Sequence, residues 1–181
     1  MGDHEVMATP RSLLVDPEQP LCYHLVSRCV RRAWLCGCNG ERNYAYRKRW
    51  IEQRLIRLAE AFAVDVLAFA IMSNHFHLVV YFDPNASKLW SLRDVAERWL
   101  RAFPVSDAEH EEAVERLLTQ PARLHRYRER LGSLSAFMQH LKQPIAVRIN
   151  REDSVKGHLF EQRFYSGALL DENAVLTAMR Y

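Results

Sequence analysis

The chain has 181 residues, of which 49% are hydrophobic, 26% charged and 10% aromatic. This balance is that of one ordinary globular domain, and it excludes a disordered, collagen-like or coiled-coil protein. The longest run without a charged side chain, residues 66–82, has Ser73, Asn74, His75 and His77 near its middle, which predicts two strands and a turn rather than a membrane span. With no apolar leader near Met1, the expectation is a cytoplasmic protein that does not contact a membrane.

The formal net charge is +3, and it is unevenly distributed. Residues 91–118 hold seven acids and four bases, so the rest of the chain carries the positive excess and is the part that could face an anion. The four cysteines are expected to stay reduced and to behave mainly as small hydrophobic residues. A zinc site is the less favoured reading, because the spacing of Cys36 and Cys38 is too tight and has no matching second pair.

In the first half of the chain, hydrophobic periodicity predicts one strand, one helix and a hairpin. Residues 21–30 alternate and predict the strand, and residues 44–62 have apolar positions at helical spacing with a basic flank. Two apolar segments, 64–72 and 75–82, are separated by only two residues. This spacing is typical of a tight antiparallel hairpin, although the usual glycine is missing.

In the second half, residues 91–131 contain three helix-like pieces and differ in composition from their surroundings, which indicates a helical insertion. A further helix runs from Leu134 to Asn150. Ser133 is its expected cap, and Pro144 is expected to kink or interrupt it, because proline removes a backbone donor.

Residues 158–170 predict a strand pair or one bent strand with a bulge at Gly167, and a last helix begins with Asp171 as its cap. The order strand, helix, strand, strand, helix, strand, helix predicts an α+β fold with an antiparallel sheet and helices packed on it. We expect residues 1–181 to form a single domain that carries the insertion at 91–131.

The segment His75-Phe76-His77 begins a predicted strand. The two-residue period puts both imidazoles on one face, about 7 Å apart along the chain, which suits a shared metal ion. For a bare His-x-His pair, two histidines satisfied by polar neighbours is the commoner reading. Here the pair enters an apolar strand, where an unpartnered imidazole would cost about 1 to 3 kcal/mol, and this context favours a metal. Ligand type alone leaves the ion open among several divalent metals.

Four segments in order resemble the single-tyrosine HUH transposases. Residues 70–80, Ala-Ile-Met-Ser-Asn-His-Phe-His-Leu-Val-Val, resemble the His-hydrophobic-His strand, and residues 23–32 resemble the first strand. Residues 134–150 are similar to the long central helix, and residues 157–166, Gly-His-Leu-Phe-Glu-Gln-Arg-Phe-Tyr-Ser, to a Gly-x-Leu-aromatic-Glu-x-Arg-Phe strand. The resemblance is greatest to the REP-associated tyrosine transposases.

This resemblance implies a ferredoxin-like HUH endonuclease fold and a metal-dependent DNA strand transferase. Such an enzyme cleaves single-stranded, hairpin-containing DNA through a 5′-phosphotyrosine intermediate during transposition. His75 and His77 are the implied ligands of a divalent metal, Mg²⁺ or Mn²⁺ by family analogy. Ala178-Met179-Arg180-Tyr181 matches the first half of the family's Met-x-Tyr-Ile-x-x-Asn-Pro segment, so Tyr181 is the implied catalytic nucleophile. The Asn-Pro half, which bears the family's third metal ligand, is absent, and we assign no third ligand.

The implied partner is a single-stranded DNA hairpin from repetitive palindromic or transposon-end sequences. Basic residues outside the acidic stretch are the candidate phosphate contacts, although a solvated face is the commoner role of any one of them. They are Arg28, Arg31, Arg32, Lys142, Arg148, Arg151, Lys156 and Arg163. Trp34, Phe160 and Tyr165 are candidates for base stacking. Relatives include both monomers and dimers, so a homodimer stays open.

The residues leave two alternative functions open. The first is a non-catalytic DNA-hairpin-binding remnant of a transposase truncated at the tyrosine helix, which the stop at Tyr181 favours. The second is a small-molecule metalloenzyme built on His75 and His77, which would need neither tyrosine nor DNA. Tyr23, Tyr165 and Tyr127 are the other tyrosines considered as nucleophiles, and the first two are expected to be packed strand residues.

Overall fold

The computed structural model describes residues 19–30, 33–40 and 42–180. The strands are β1 (Leu21–Arg28), β2 (Cys38–Asn39), β3 (Arg42–Asn43), β4 (Val64–Ile71), β5 (His75–Phe82) and β6 (Tyr165–Leu169). The helices are α1 (Arg47–Ala59), α2 (Leu92–Ala102), α3 (His110–Leu118), α4 (Pro121–Leu131), α5 (Leu134–Glu152) and α6 (Glu172–Met179).

Four strands form one antiparallel sheet in the order β4-β5-β1-β6, while β2 and β3 form a separate two-stranded pair. The succession β1-α1-β4-β5-α5-β6 with this strand order is the split βαβ arrangement of ferredoxin-like folds. The predicted α+β class, with an antiparallel sheet packed by helices, is confirmed. The predicted hairpin is also confirmed, since β4 and β5 are joined by a three-residue turn.

One face of the sheet forms the main core with α1 and α5. Leu25 of β1 and Leu78 of β5 are fully buried on this face, against the apolar sides of the helices that contain Leu55, Phe137 and Leu141. Burying one such side chain stabilises the fold by about 1.5 to 3 kcal/mol. The alternation of β1 and β5 therefore orients the sheet, because every second residue must enter this core.

The opposite face carries the histidines and is covered in part by α6. Val26 and Val79 are buried on this face and lie outside the main core cluster. Helix α6 contacts β4, β5 and β6, and it gives no residue to the core between the sheet and α1 and α5. Its half-buried residues, Ala174, Val175 and Ala178, have the spacing of one helical side. We conclude that α6 packs on the histidine-bearing face and starts from the predicted cap, Asp171, whose Oδ1 accepts from the Ala174 N–H at 2.8 Å.

Helix α5 corrects one expectation, because it runs through Pro144 without interruption. Proline has no N–H to give to the carbonyl of His140, four residues earlier. That carbonyl accepts a hydrogen bond from Nε of Arg54 on α1 at 3.2 Å instead. A side chain from a neighbouring helix thus satisfies the acceptor that the proline leaves, and α5 stays continuous. The predicted cap at Ser133 is confirmed, since its Oγ accepts from the Ala136 N–H.

Gly167 corrects a second expectation. The pairing of β6 with β1 is regular through this residue, which lies opposite His24, so there is no bulge. A Cβ at Gly167 would lie 2.7 Å from the hydroxyl oxygen of Tyr165. The Tyr165 ring lies over the backbone of Gly167, so a side chain at this position would require that exposed ring to move. Upstream, residues 157–164 contain no strand, and a single bridge joins Phe160 to Cys29 at the end of β1.

The three predicted helices between residues 91 and 131 are present as α2, α3 and α4, which contact one another. A stacked pair of rings, Trp99 and Tyr127 with centroids 3.6 Å apart, joins α2 to α4. Arg54 of α1 donates from Nη1 to the Ala102 carbonyl at 2.7 Å and ties this group to the core. That these helices are an insertion within one domain stays a prediction. None of the helices in the described ranges combines the length and apolar character needed to cross a membrane.

Candidate metal and nucleic-acid site

The turn between β4 and β5 is held in place by the chain that follows β1. The turn carbonyls of Ser73 and Asn74 accept hydrogen bonds from the backbone N–H groups of Leu35 at 2.6 Å and Cys29 at 2.8 Å. The thiol of Cys36 donates to the Met72 carbonyl at 3.1 Å. Because buried or half-buried backbone groups need partners, these bonds fix the turn without a glycine. The first residue of β5, His75, is thereby held at a defined position.

His75 and His77 lie on the same face of β5, as their spacing predicts, and Phe76 between them is buried in the core. The imidazole centroids of the two histidines are 5.0 Å apart. His75 is paired with Arg28 across the sheet and His77 with Val26. Both imidazoles are half-buried, so they keep a side open to solvent while most of their surroundings are protein.

A third histidine, which the sequence analysis did not select, joins this pair. His24 of β1 lies diagonally across from His77, and its Nε2 is 2.9 Å from Nδ1 of His77. The two rings are stacked, with centroids 5.1 Å apart, and the ring of Tyr165 meets His24 edge-on at 6.4 Å. The alternation of residues in β1 was a signal from which the sequence could have predicted that His24 lies on the face opposite Leu25. The pairing of β1 with β5, 53 residues away along the chain, is what brings His24 to His77.

The electrostatic environment favours the neutral form of all three imidazoles. Burial lowers the pKa of His24 and, together with the nearby charge of Arg28, the pKa of His75. The pKa of His77 is also lowered, first by burial and then by His24, His75 and Arg28. A neutral imidazole is the form that binds a metal through its lone pair. The exposed guanidinium of Arg28 adds a positive charge beside the pair, where an anion would be attracted.

The donor set fits one side of a divalent metal ion. Nδ1 of His75 is 2.7 Å from Oδ1 of Asn74, which is an acceptor, so Nδ1 carries the proton and Nε2 has the free lone pair. A second hydrogen-bond partner of this kind is the usual way in which proteins orient a metal-binding histidine. Within the described ranges, no group of three or more His, Cys, Asp or Glu residues could hold a metal. His75 and His77 would therefore leave several coordination positions to water or to phosphate oxygens.

The candidate tyrosines are in different surroundings. Tyr181, like Arg31 and Arg32, lies outside the described residues. Tyr23 is fully buried in the core, as expected, and Tyr127 is stacked on Trp99. Tyr165 was expected to be packed in its strand, but 63% of it is exposed on the histidine-bearing face. Tyr165 is exposed because β6 is an edge strand. Among the described residues, it has β1 as a neighbour on one side and no strand on the other to cover its side chains.

The six predicted phosphate contacts that the structure describes lie on β1, on α5 and in the segment between α5 and β6. Arg28 lies beside His75 on the histidine-bearing face, and the side chain of Arg148 lies over Trp50, with its guanidinium carbon 3.6 Å from the ring centroid. Lys142 donates to the Glu161 carbonyl at 2.9 Å and lines a cavity of about 730 Å³ between α5 and residues 157–164. The remaining three, Arg151, Lys156 and Arg163, are exposed.

The predicted stacking residues also differ from one another. Phe160 is buried against Phe76, edge-on at 5.9 Å, and Lys142 Nζ lies over its ring at 5.5 Å, so little of the ring is exposed for a base. Trp34 is half-buried and lines a cavity of about 550 Å³ together with Tyr44 and Lys156. Tyr165 is the most exposed of the three and lies closest to the histidines.

No protein-family model matches the chain, and no curated protein sequence matches it. Among solved structures, the fold is similar to that of a REP-associated tyrosine transposase bound to a REP hairpin, with a TM-score of 0.52. The similarity covers 97% of this chain and 70% of the transposase, at 10% sequence identity. At this identity the likeness concerns the fold. The protein is thus an α+β protein with the architecture seen in that transposase.

Proposed function

We propose that this protein is a REP-associated tyrosine transposase of the HUH class, acting on single-stranded DNA hairpins. The observation that carries the proposal is the placement of His75 and His77, half-buried, on the face of a ferredoxin-like sheet that lies opposite α1 and α5, with Arg28 beside them. The fold likeness to a transposase bound to a REP hairpin supports it, and so do the four sequence segments that resemble the family.

In this proposal, Arg28 and the exposed basic residues bind the DNA backbone, and Arg28 brings the scissile phosphate to the histidines. The half-buried position of His75 and His77 excludes part of the surrounding water, which strengthens charge interactions at the phosphate. Their Nε2 atoms would bind the cation, for which we propose Mg²⁺ or Mn²⁺. When bound, such an ion polarises a phosphate oxygen and helps to align the scissile bond.

Tyr181 is the proposed nucleophile. Its phenol oxygen forms a bond to phosphorus while the bond from phosphorus to the 3′ oxygen breaks. The phenolic proton is lost and a proton is gained by the leaving 3′ oxygen, so the products are a 5′-phosphotyrosine link and a free 3′-hydroxyl. The reverse attack by another 3′-hydroxyl rejoins the DNA, and no external energy source is needed.

The test is a covalent adduct between the full chain and DNA. The protein is incubated with Mn²⁺ and single-stranded hairpin DNA that is labelled at either its 5′ or its 3′ end, and the products are separated under denaturing conditions. We expect the 3′ label to migrate with the protein and the 5′ label to stay on a free fragment. Tyr181→Phe should abolish the adduct, whereas Tyr127→Phe, on α4 and stacked away from the histidines, should retain it. An adduct that persists in Tyr181→Phe would contradict the assignment.

A non-catalytic hairpin-binding protein is the second candidate. It is favoured by one observation, that the described residues offer two ligating histidines and no three-donor cluster. It predicts salt-sensitive binding of hairpin DNA in a mobility-shift assay with no adduct under any divalent metal. A scrambled oligonucleotide of the same composition serves as the control for hairpin recognition. Absence of both binding and adduct would contradict both candidates.

A further inference from the structure

The hydrogen bond between His24 and His77 can run in either direction, depending on the tautomer of each ring. Nε2 of His24 and Nδ1 of His77 are 2.9 Å apart, so one nitrogen carries the proton and the other accepts it. If His24 donated, Nδ1 of His77 would be the lone-pair atom and the proton of His77 would lie on Nε2, away from His24. If His77 donates, its Nε2 carries the lone pair, as Nε2 of His75 does.

We propose that His24 is a positioning residue that accepts the Nδ1 proton of His77 and so keeps Nε2 of His77 available as a metal ligand. In this arrangement the two ligating histidines are oriented in the same manner by different partners, Asn74 for His75 and His24 for His77. His24 itself is not assigned as a ligand, because its Nε2 is used in the contact. Its Nδ1 then carries the remaining proton.

Three features support this role. The stacking of His24 on His77 restricts rotation of the His77 ring, since the centroids are 5.1 Å apart and the planes differ by 20°. The ring of Tyr165 also meets His24 edge-on, with the ring centroids 6.4 Å apart. The contact also joins the two central strands β1 and β5, which are positioned by the core beneath them. The acceptor is therefore held by rigid elements, which is what a residue that orients a ligand requires.

The first measurement concerns the protons and needs no metal. Long-range ¹H–¹⁵N correlation spectra of the ¹⁵N-labelled full chain at pH 8 show which nitrogen of each neutral histidine is protonated. His75→Gln and His77→Gln assign the signals. We expect the proton on Nδ1 in both His75 and His77. In His24→Phe, which keeps a ring for stacking but removes the acceptor, His77 should lose its preference for Nδ1 while His75 keeps it.

The second measurement is metal affinity, with Co²⁺ as a spectroscopic probe of the divalent site. Loss of a residue that orients a ligand typically weakens metal binding by about 10- to 100-fold, and we expect a loss in this range for His24→Phe. His24→Gln supplies an amide oxygen as acceptor and should restore most of the affinity. His125→Ala, which changes an exposed histidine on α4, should bind Co²⁺ as the wild type does.

The two readouts separate this inference from the proposed function on which it rests. A wild-type protein with the His77 proton on Nε2 would overturn the role of His24, and so would a His24→Phe variant with unchanged tautomer and unchanged Co²⁺ affinity. If the wild type binds no divalent metal, the catalytic proposal fails, and the spectra still decide whether His24 sets the tautomer of His77. If His24→Phe does not fold, the wild-type spectrum and His24→Gln carry the test.

Discussion

The two faces of the central sheet are built from the same strands but differ in what their side chains do. On one face, residues such as Phe76 are buried beneath α1 and α5 and stabilise the fold. On the other, His24, His75 and His77 are half-buried and keep access to solvent. Consecutive residues of β5 thus belong to different environments. The residues of the proposed site and those that stabilise the fold alternate along the same strand.

Among the substitutions that test this difference between the two faces, we expect the largest effect from replacing the histidines. Replacing His75 and His77 together with Ala should lower the rate of adduct formation by roughly 1,000-fold, because the charge stabilisation of a bound metal contributes several kcal/mol. The free energy of unfolding should change by less than about 1 kcal/mol, since both side chains are only half-buried. Adduct yield and urea denaturation measure the two quantities on the same protein. Equal adduct rates in wild type and variant would show that the pair is not catalytic.

Replacing Phe76, which lies between the two histidines, should instead lower the stability of the fold. Phe76→Ala removes a ring that is 1% exposed and packs edge-on against Phe160. We expect a loss of about 3 to 5 kcal/mol in unfolding free energy, from lost burial and from the cavity that remains. Urea denaturation gives this value. A loss below 1 kcal/mol would mean that the ring is not part of a well-packed core.

The smallest effect concerns pH and a histidine outside the site. His140 of α5 is packed among Phe62, Trp99 and Phe103, and its Nε2 is buried without a hydrogen-bond partner. Burial lowers the pKa of His140, and the charges of Arg54 and Arg130 lower it further. The folded protein therefore binds fewer protons than the unfolded chain at pH values below the ordinary histidine value of 6.5.

The contribution of His140 to the free energy of unfolding should accordingly be fully present above pH 6.5. It should be lost as the pH drops towards the lowered pKa of His140. His140→Gln cannot be protonated and should reduce this dependence between pH 7.5 and 5.5. Thermal unfolding at a series of pH values measures it, with His125→Ala, an exposed histidine, as the matched control. An identical pH dependence in wild type and His140→Gln would contradict the prediction.

The elements with strong periodicity could be predicted from the sequence, because their signals are local. The hairpin of β4 and β5, the caps at Ser133 and Asp171, and the shared face of His75 and His77 all follow from neighbouring residues. The predicted interruption at Pro144 was wrong because the structure there depends on a distant residue. The bond that compensates the proline comes from Arg54, 90 residues away in the sequence, on another helix.

The amino-acid sequence by itself determined the α+β class, the two-residue spacing of His75 and His77, and the alternation that puts Phe76 in the core. The tertiary structure alone decided that His24 meets His77, that Tyr165 is exposed on an edge strand, and that α6 covers part of the histidine-bearing face. The physical reason is that periodicity fixes which side a residue takes within its own strand. Which residues it meets there depends on strand order and register, and these are set by packing over the whole core.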